Sequence, residues 1–261
     1  MSGALDGDVA IVTGAGAGIG RAIAAALAAE GATVVVADRD PGTARAAVAE
    51  LEAAGGHAAA ADLDVADVAD VRALAQAVKA EHGRLDVLVN NAAVTQASTF
   101  FEVDEDEWDR IHAVNARGAF FLMQEAARVM VAQRRGRIVN VASIAGKGWS
   151  GSSSAAYAAS KGAMLSMTRY AATALAADGV TVNAVCPGIT QTATFDQVLR
   201  ARAEHAGVPF EQYVARYAEQ IPLRRVNDPA DVAGAVLLLV SPAGRNITGQ
   251  SLNVDGGLVF D

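Results

Sequence analysis

Thr13-Gly14-Ala15-Gly16-Ala17-Gly18-Ile19-Gly20 follows the apolar run Val9-Ala-Ile-Val-Thr13 and leads into an Ala-rich stretch, 21–30, that Gly31 stops. A β-branched run, a glycine-dense turn and then helical composition make a strand–turn–helix unit. A bare tight turn does not need four glycines. A turn of this kind lets the backbone approach a pyrophosphate, and the helix start behind it presents free N–H groups and the positive end of the helix dipole.

The same alternation continues along the chain. Further strands are expected at 33–37, 58–63, 85–90, 136–143, 180–185 and 251–254. Helices are expected at 43–54, 65–81, 155–177 and 228–240, with one or two more in 105–134. Asp228 can cap the last helix, with Pro229 at its first position. The strands read as continuous apolar runs, so both of their faces are covered. Repeated β-α-β order then gives an α/β fold: one Rossmann domain over 1–261, a doubly wound, mostly parallel seven-stranded sheet with helices on both faces. No repeat, low-complexity linker or charge block marks a boundary.

Composition narrows the function. The 261 residues are 52% hydrophobic and 19% charged, which excludes a disordered chain. A net charge of −8 argues against nucleic acid and anionic membrane partners. Cys186 is the one cysteine, and His57, His82, His112 and His205 show no ligand spacing, so no metal site is expected. The N-terminus lacks a secretory pattern, and the apolar runs fall far short of the ~18 residues of a membrane span. A cytoplasmic location is the expectation.

Asp38 closes the second strand, where a carboxylate accepts hydrogen bonds from ribose hydroxyls and repels a 2′-phosphate. Ala17 brings no positive charge to the turn. Both favour NAD over NADP, while Arg39 next door could hold a phosphate. Tyr157-Ala-Ala-Ser-Lys161 places a phenol and an ammonium one helical turn apart. The cation should lower the tyrosine pKa toward neutrality, making an acid–base for an alcohol/ketone couple. Ser143 ends the fifth strand, in the crevice that the glycine turn also borders, and can hold a carbonyl or alcohol oxygen for Tyr157. Asn90-Asn91 ends the fourth strand and should pack across the cofactor. Asn115 falls inside a helical stretch, where it is either part of a polar network or incidental.

Together, Thr13-Gly-x-x-x-Gly18-x-Gly20, Asp64-Val65, Asn90-Asn91-Ala92, Asn115, Ser143, Tyr157-x-x-x-Lys161 and Pro187-Gly188 followed by Thr192 resemble the short-chain dehydrogenase/reductase family over essentially the whole chain. The resemblance implies Tyr157 as general acid/base, Lys161 as pKa modulator and ribose ligand, and Ser143 as the substrate-orienting hydroxyl. It implies that Asn115 holds a water in a proton relay to Lys161. Cofactor contacts would come from Gly14, Ala17, Gly18, Ile19, Gly20, Asp38, Arg39, Asp64, Val65, Asn91, Tyr157, Lys161, Pro187, Gly188, Thr190 and Thr192. Ala93 and Thr190 depart from the family's usual Gly and Ile or Val.

The stretch 193–222 is too long for a plain connection and reads as a helical lid, with Phe195, Phe210 and Tyr213 as apolar contacts. Gln96, Lys147, Trp149 and the serine run 150–154 are expected to edge the pocket and to suit a polyol, diol or cyclitol. The helix over 155–177 is apolar nearly all round, so a homodimer or homotetramer is expected. Two other functions remain open: an NADP-dependent reductase of a 3-oxoacyl thioester or biosynthetic ketone, and a non-catalytic NAD(H)-binding regulatory protein.

Overall fold

A computed structural model describes residues 3–149, 151 and 153–260. Seven parallel strands form one sheet in the order β3-β2-β1-β4-β5-β6-β7. They are β1 (Val9–Thr13), β2 (Thr33–Asp38), β3 (His57–Asp62), β4 (Val87–Asn90), β5 (Gly136–Val141), β6 (Val180–Pro187) and β7 (Ser251–Val254). The helices are α1 (Gly18–Ala29), α2 (Pro41–Ala53), α3 (Val68–His82), α4 (Glu105–His112), α5 (Ala119–Gln133), α6 (Ala155–Leu175), α7 (Ala193–His205), α8 (Phe210–Gln220) and α9 (Pro229–Val240).

Strand periodicity divides the core into two layers. Val12, Val34 and Val36 pack with Ile23 and Leu27 of α1 and with Val232 and Val236 of α9. Their neighbours Ile11 and Val35 point the other way, against Val71 of α3 and Leu122 of α5. Chain order reverses between β1 and β4, so the turns after these two strands open a crevice at the carboxyl edge of the sheet.

Several boundaries move, each for a local reason. α3 begins three residues later than its composition predicts, because Asp64 accepts Ala66 N in a turn and Asp67 caps the helix through Ala69 N. β4 pairs only from Val87; Leu85 exchanges two 2.9 Å hydrogen bonds with the Gln133 side-chain amide instead. β3 is a half-exposed edge rather than a covered strand. The stretch 105–134 is two helices joined without a break by a π-helical segment, Ala113–Gly118.

At the amino edge of the sheet, buried Asp86 accepts Val9 N at 3.0 Å and both Arg84 and Arg135. Arg135 also grips Asp8 through two 2.7 Å hydrogen bonds. This cluster ties β1, β4 and β5 together at the end opposite the crevice.

Candidate active site

The crevice begins with the glycine turn. Gly14 sits at φ +61°, and a Cβ on Gly20 would lie 2.2 Å from the Gly14 carbonyl oxygen, so neither position accepts a side chain without moving the loop. The turn is held from β4. Thr13 Oγ1 accepts from Asn91 N and Ala92 N, both at 3.0 Å, while Asn91 Nδ2 donates to the Thr13 and Gly14 carbonyls at 2.9 and 3.1 Å. Helices α2, α3, α4, α6 and α9 start under a capping Asp or Ser. α1 starts after Ala17 with no side-chain cap. Its first-turn N–H groups are therefore left to a ligand or solvent.

A groove of about 400 Å³ runs from this turn across the ends of β2 and β3. Gly14, Ala17, Gly18, Ile19, Gly20, Asp38, Arg39, Asp64, Val65, Asn91 and Thr192 all border it. The Asp38 carboxylate is oriented by Gly16 N at 2.9 Å and Asp40 N at 3.1 Å.

A second cavity, of about 310 Å³, joins the groove at Ile19, Asn91, Ala93 and Thr192. Ser143, Tyr157, Lys161, Pro187, Gly188, Thr190 and Trp149 line it. Ser143 leaves β5 in an extended conformation, and its Oγ accepts Ala145 N at 3.1 Å, capping the short helical turn Ile144–Lys147. Its hydroxyl also hydrogen-bonds the Tyr157 phenol. Tyr157 and Lys161 lie one turn apart on α6, which Ser154 caps through Tyr157 N.

Lys161 is buried, donates to the Val141 carbonyl at 2.7 Å and sits 5.8 Å from the centre of the Tyr157 ring. Burial lowers its pKa to about 8, with Cys186 acting in the opposite sense. The expected lowering of the tyrosine pKa is corrected for the free protein. Burial raises it, and the Ser143 hydrogen bond only opposes that rise, because the ammonium is directed at a carbonyl rather than at the phenol. The arrangement thus places a hydroxyl and a neutral phenol side by side, facing a cavity with a buried amine behind them.

Asn115 belongs to a network. Completely buried in the π-helical segment, it accepts Val94 N at 2.8 Å and donates to Val94 O at 2.9 Å and Ser160 Oγ at 3.1 Å. Ser160 Oγ in turn donates to the Tyr157 carbonyl at 2.7 Å. Both amide hydrogens of Asn115 are committed, so the side chain braces the β4 loop against α6 rather than presenting donors to the cavity. π-Turns recur at such positions because they redirect side chains without ending the helix.

Two expected substrate contacts are corrected. Gln96 is exposed and outside the cavity wall; its amide donates to Glu107 at 3.1 Å and accepts from Arg110 at 2.6 Å. Lys147 turns to the Ser251 carbonyl at 3.0 Å. Ser153 does line the cavity, while Ser150 and Ser152 lie outside the described residues. Of the aromatic residues expected on 193–222, Phe195 lines the cavity. Phe210 lies under the Arg200 guanidinium, and Tyr213 stacks obliquely on Tyr217. Tyr217, which we did not anticipate, is the second lining aromatic, and its position four residues after Tyr213 was the available signal. Ser160 also escaped notice inside the Tyr157–Lys161 motif.

Comparison with known proteins agrees with this geometry. The family model described as enoyl-(acyl carrier protein) reductase matches residues 14–259. Galactitol 2-dehydrogenase of Agrobacterium fabrum is 38% identical over 254 residues, 97% of this chain and 98% of that protein. A 3-oxoacyl-(acyl-carrier-protein) reductase of Thermotoga maritima is 35% identical over 98% of this chain and 99% of its own. Among solved structures, an NAD+-bound xylitol dehydrogenase superposes with a TM-score of 0.90 at 31% identity, covering 97% of this chain and 99% of that one. The chain belongs to the short-chain dehydrogenase/reductase family. It is an oxidoreductase of alcohol and ketone groups, and among the described residues no helix is long and apolar enough to cross a membrane.

Proposed function

We propose that the chain transfers hydride between NAD(H) and a secondary alcohol or ketone, with Tyr157 as the proton donor and acceptor. The observation that carries this is the placing of the Ser143–Tyr157 pair in the cavity that opens into the glycine-turn groove. When bound, the nicotinamide ring supplies the hydride acceptor or donor. Ser143 and Tyr157 hold the substrate oxygen. In reduction the Tyr157 phenol would give its proton to the carbonyl oxygen while the bound ring would supply hydride to the carbon; oxidation would return the proton to Tyr157 and the hydride to the ring. Lys161 keeps a dissociable proton behind the phenol, and Asn115 with Ser160 fixes the backbone that carries it.

The groove fits a dinucleotide on its own chemistry. Uncapped N–H groups of α1 meet a pyrophosphate, and the oriented Asp38 carboxylate meets ribose hydroxyls. Asp38 supports NAD. Arg39, which also borders the groove, supports the second possibility, an NADP-linked reductase of an acyl thioester or other ketone, in keeping with the name of the Thermotoga relative. A hydroxylated substrate draws support from the names of the galactitol and xylitol enzymes, but no longer from Gln96 or Lys147. Residues 193–222, carrying α7 and α8, act as the lid of one domain. Exposed Tyr170 on α6 and Trp108 on α4 support a homo-oligomer.

The test is NADH absorbance with secondary alcohols and either dinucleotide, wild type beside Tyr157→Phe. Turnover that needs NAD and disappears in the variant is the expected result. Failure to bind either dinucleotide, or full turnover in Tyr157→Phe, overturns the assignment.

A further inference from the structure

We infer that the cavity takes a neutral secondary carbinol or ketone bearing an aromatic or alkyl substituent, and discriminates against polyols and anions. This rests on Ser143 and Tyr157 being the pair that holds the reacting oxygen.

The wall beyond that pair is apolar. It is made by Trp149, Phe195, Leu199 and Tyr217, together with Ala145 and Ile189. Phe195 and Tyr217 meet edge-on with ring centres 6.4 Å apart, joining α7 to α8 over the cavity. A ring or short alkyl group placed there leaves water for a surface that offers it dispersion and edge–face contacts.

The serine and threonine hydroxyls of the lining other than Ser143 each have a partner within the protein. Thr95 and Ser153 hydrogen-bond each other. Thr190 Oγ1 donates to the Gly188 carbonyl at 3.2 Å, and Thr192 Oγ1 accepts Phe195 N at 3.2 Å. A second or third substrate hydroxyl would lose its hydration against a mostly apolar wall that offers few polar groups in return.

Charge points the same way. Among the described residues Lys161 is the one charged side chain that lines the cavity, and it is buried on the Val141 carbonyl. A carboxylate, phosphate or sulfonate would be desolvated without a dedicated partner.

The experiment compares four probes with saturating NAD+ or NADP+: 1-phenylethanol, 1-phenyl-1,2-ethanediol, mandelate and galactitol. The first three share a ring and differ by one polar group. We expect kcat/KM to be highest for 1-phenylethanol, about 10-fold lower for the diol and about 100-fold lower or less for mandelate and galactitol. Trp149→Ala should lower kcat/KM for 1-phenylethanol more than for 2-butanol, which a general loss of folding would not do. Galactitol or mandelate matching or exceeding 1-phenylethanol, with turnover still lost in Tyr157→Phe, overturns the substrate class and leaves the oxidoreductase assignment standing. No turnover of any probe or its ketone while a dinucleotide still binds overturns the substrate class alone; failure to bind either dinucleotide overturns the hydride-transfer reading and the substrate class with it.

Discussion

The Lys161 ammonium lies 2.7 Å from the carbonyl oxygen of Val141, two residues before Ser143 on the same chain segment. One hydrogen bond thus fixes the distance between the end of β5 and the first turns of α6, the two elements that carry Ser143 and Tyr157. The contact is close because Gly146 has no side chain; a Cβ there would come within 2.6 Å of the Lys161 carbonyl carbon.

Burying that amine has a cost with a defined sign. Its pKa falls from 10.5 to about 8 in the folded protein, so below pH 8 the folded state must hold a charge that the unfolded chain holds more easily. Lys161→Met should therefore stabilise the cofactor-free protein by about 2 kcal/mol at pH 6, after allowing for the lost hydrogen bond. The gain should shrink as pH rises from about 8 toward 10.5. Urea denaturation at several pH values checks this; a gain that stays constant with pH rules out the linkage.

Tyr157 titrates above an ordinary tyrosine in the free protein, since burial outweighs the Ser143 hydrogen bond. The phenolate absorbance lost in Tyr157→Phe should appear only at a pH above 10. Ser143→Ala should move it higher still. A midpoint below 10 in the cofactor-free protein would mean that Lys161 dominates after all.

Asp38→Asn keeps an acceptor for Gly16 N and removes the charge. The ratio of kcat/KM for NAD over NADP should fall by about 10-fold or more, since one repulsive contact of ~1.4 kcal/mol is worth that factor. An unchanged ratio would assign cofactor choice to Arg39.

Asp86→Ala should destabilise the chain by about 2 kcal/mol, because it strips the partner from buried Val9 N and takes from Arg84 and Arg135 one of their two carboxylates, leaving Asp8 to hold both. The folded fraction should keep wild-type kcat, as the cluster sits at the opposite edge of the sheet from the crevice. Guanidinium melts and steady-state rates on the same sample separate the two effects.

Local spacing explains what the sequence made visible. The glycine turn, Tyr157 with Lys161, and Asp38 at a strand end each depend on neighbours within a few residues, so strand and helix periods suffice to place them. Contacts between distant segments were not visible. Nothing in the chain couples Thr13 to Asn91, Asp8 to Arg135 or Asn115 to Ser160 before the fold brings them together. The π-helical segment leaves no periodic mark, since its residues fit an ordinary helix equally well. Gln96 and Lys147 were misplaced for a related reason: standing near a strand end in sequence does not set where a loop side chain turns, and Arg110 and Ser251 decided it.

Helices α7 and α8 pack chiefly on one another and rejoin the body of the protein at 193 and near 221. The part of the chain that meets the far end of the substrate is therefore grafted onto the catalytic frame. Substitutions confined to that hairpin would change which alcohols fit the far wall of the cavity while leaving the glycine turn, the β5–α6 joint and the ionic clasp at the other edge of the sheet untouched.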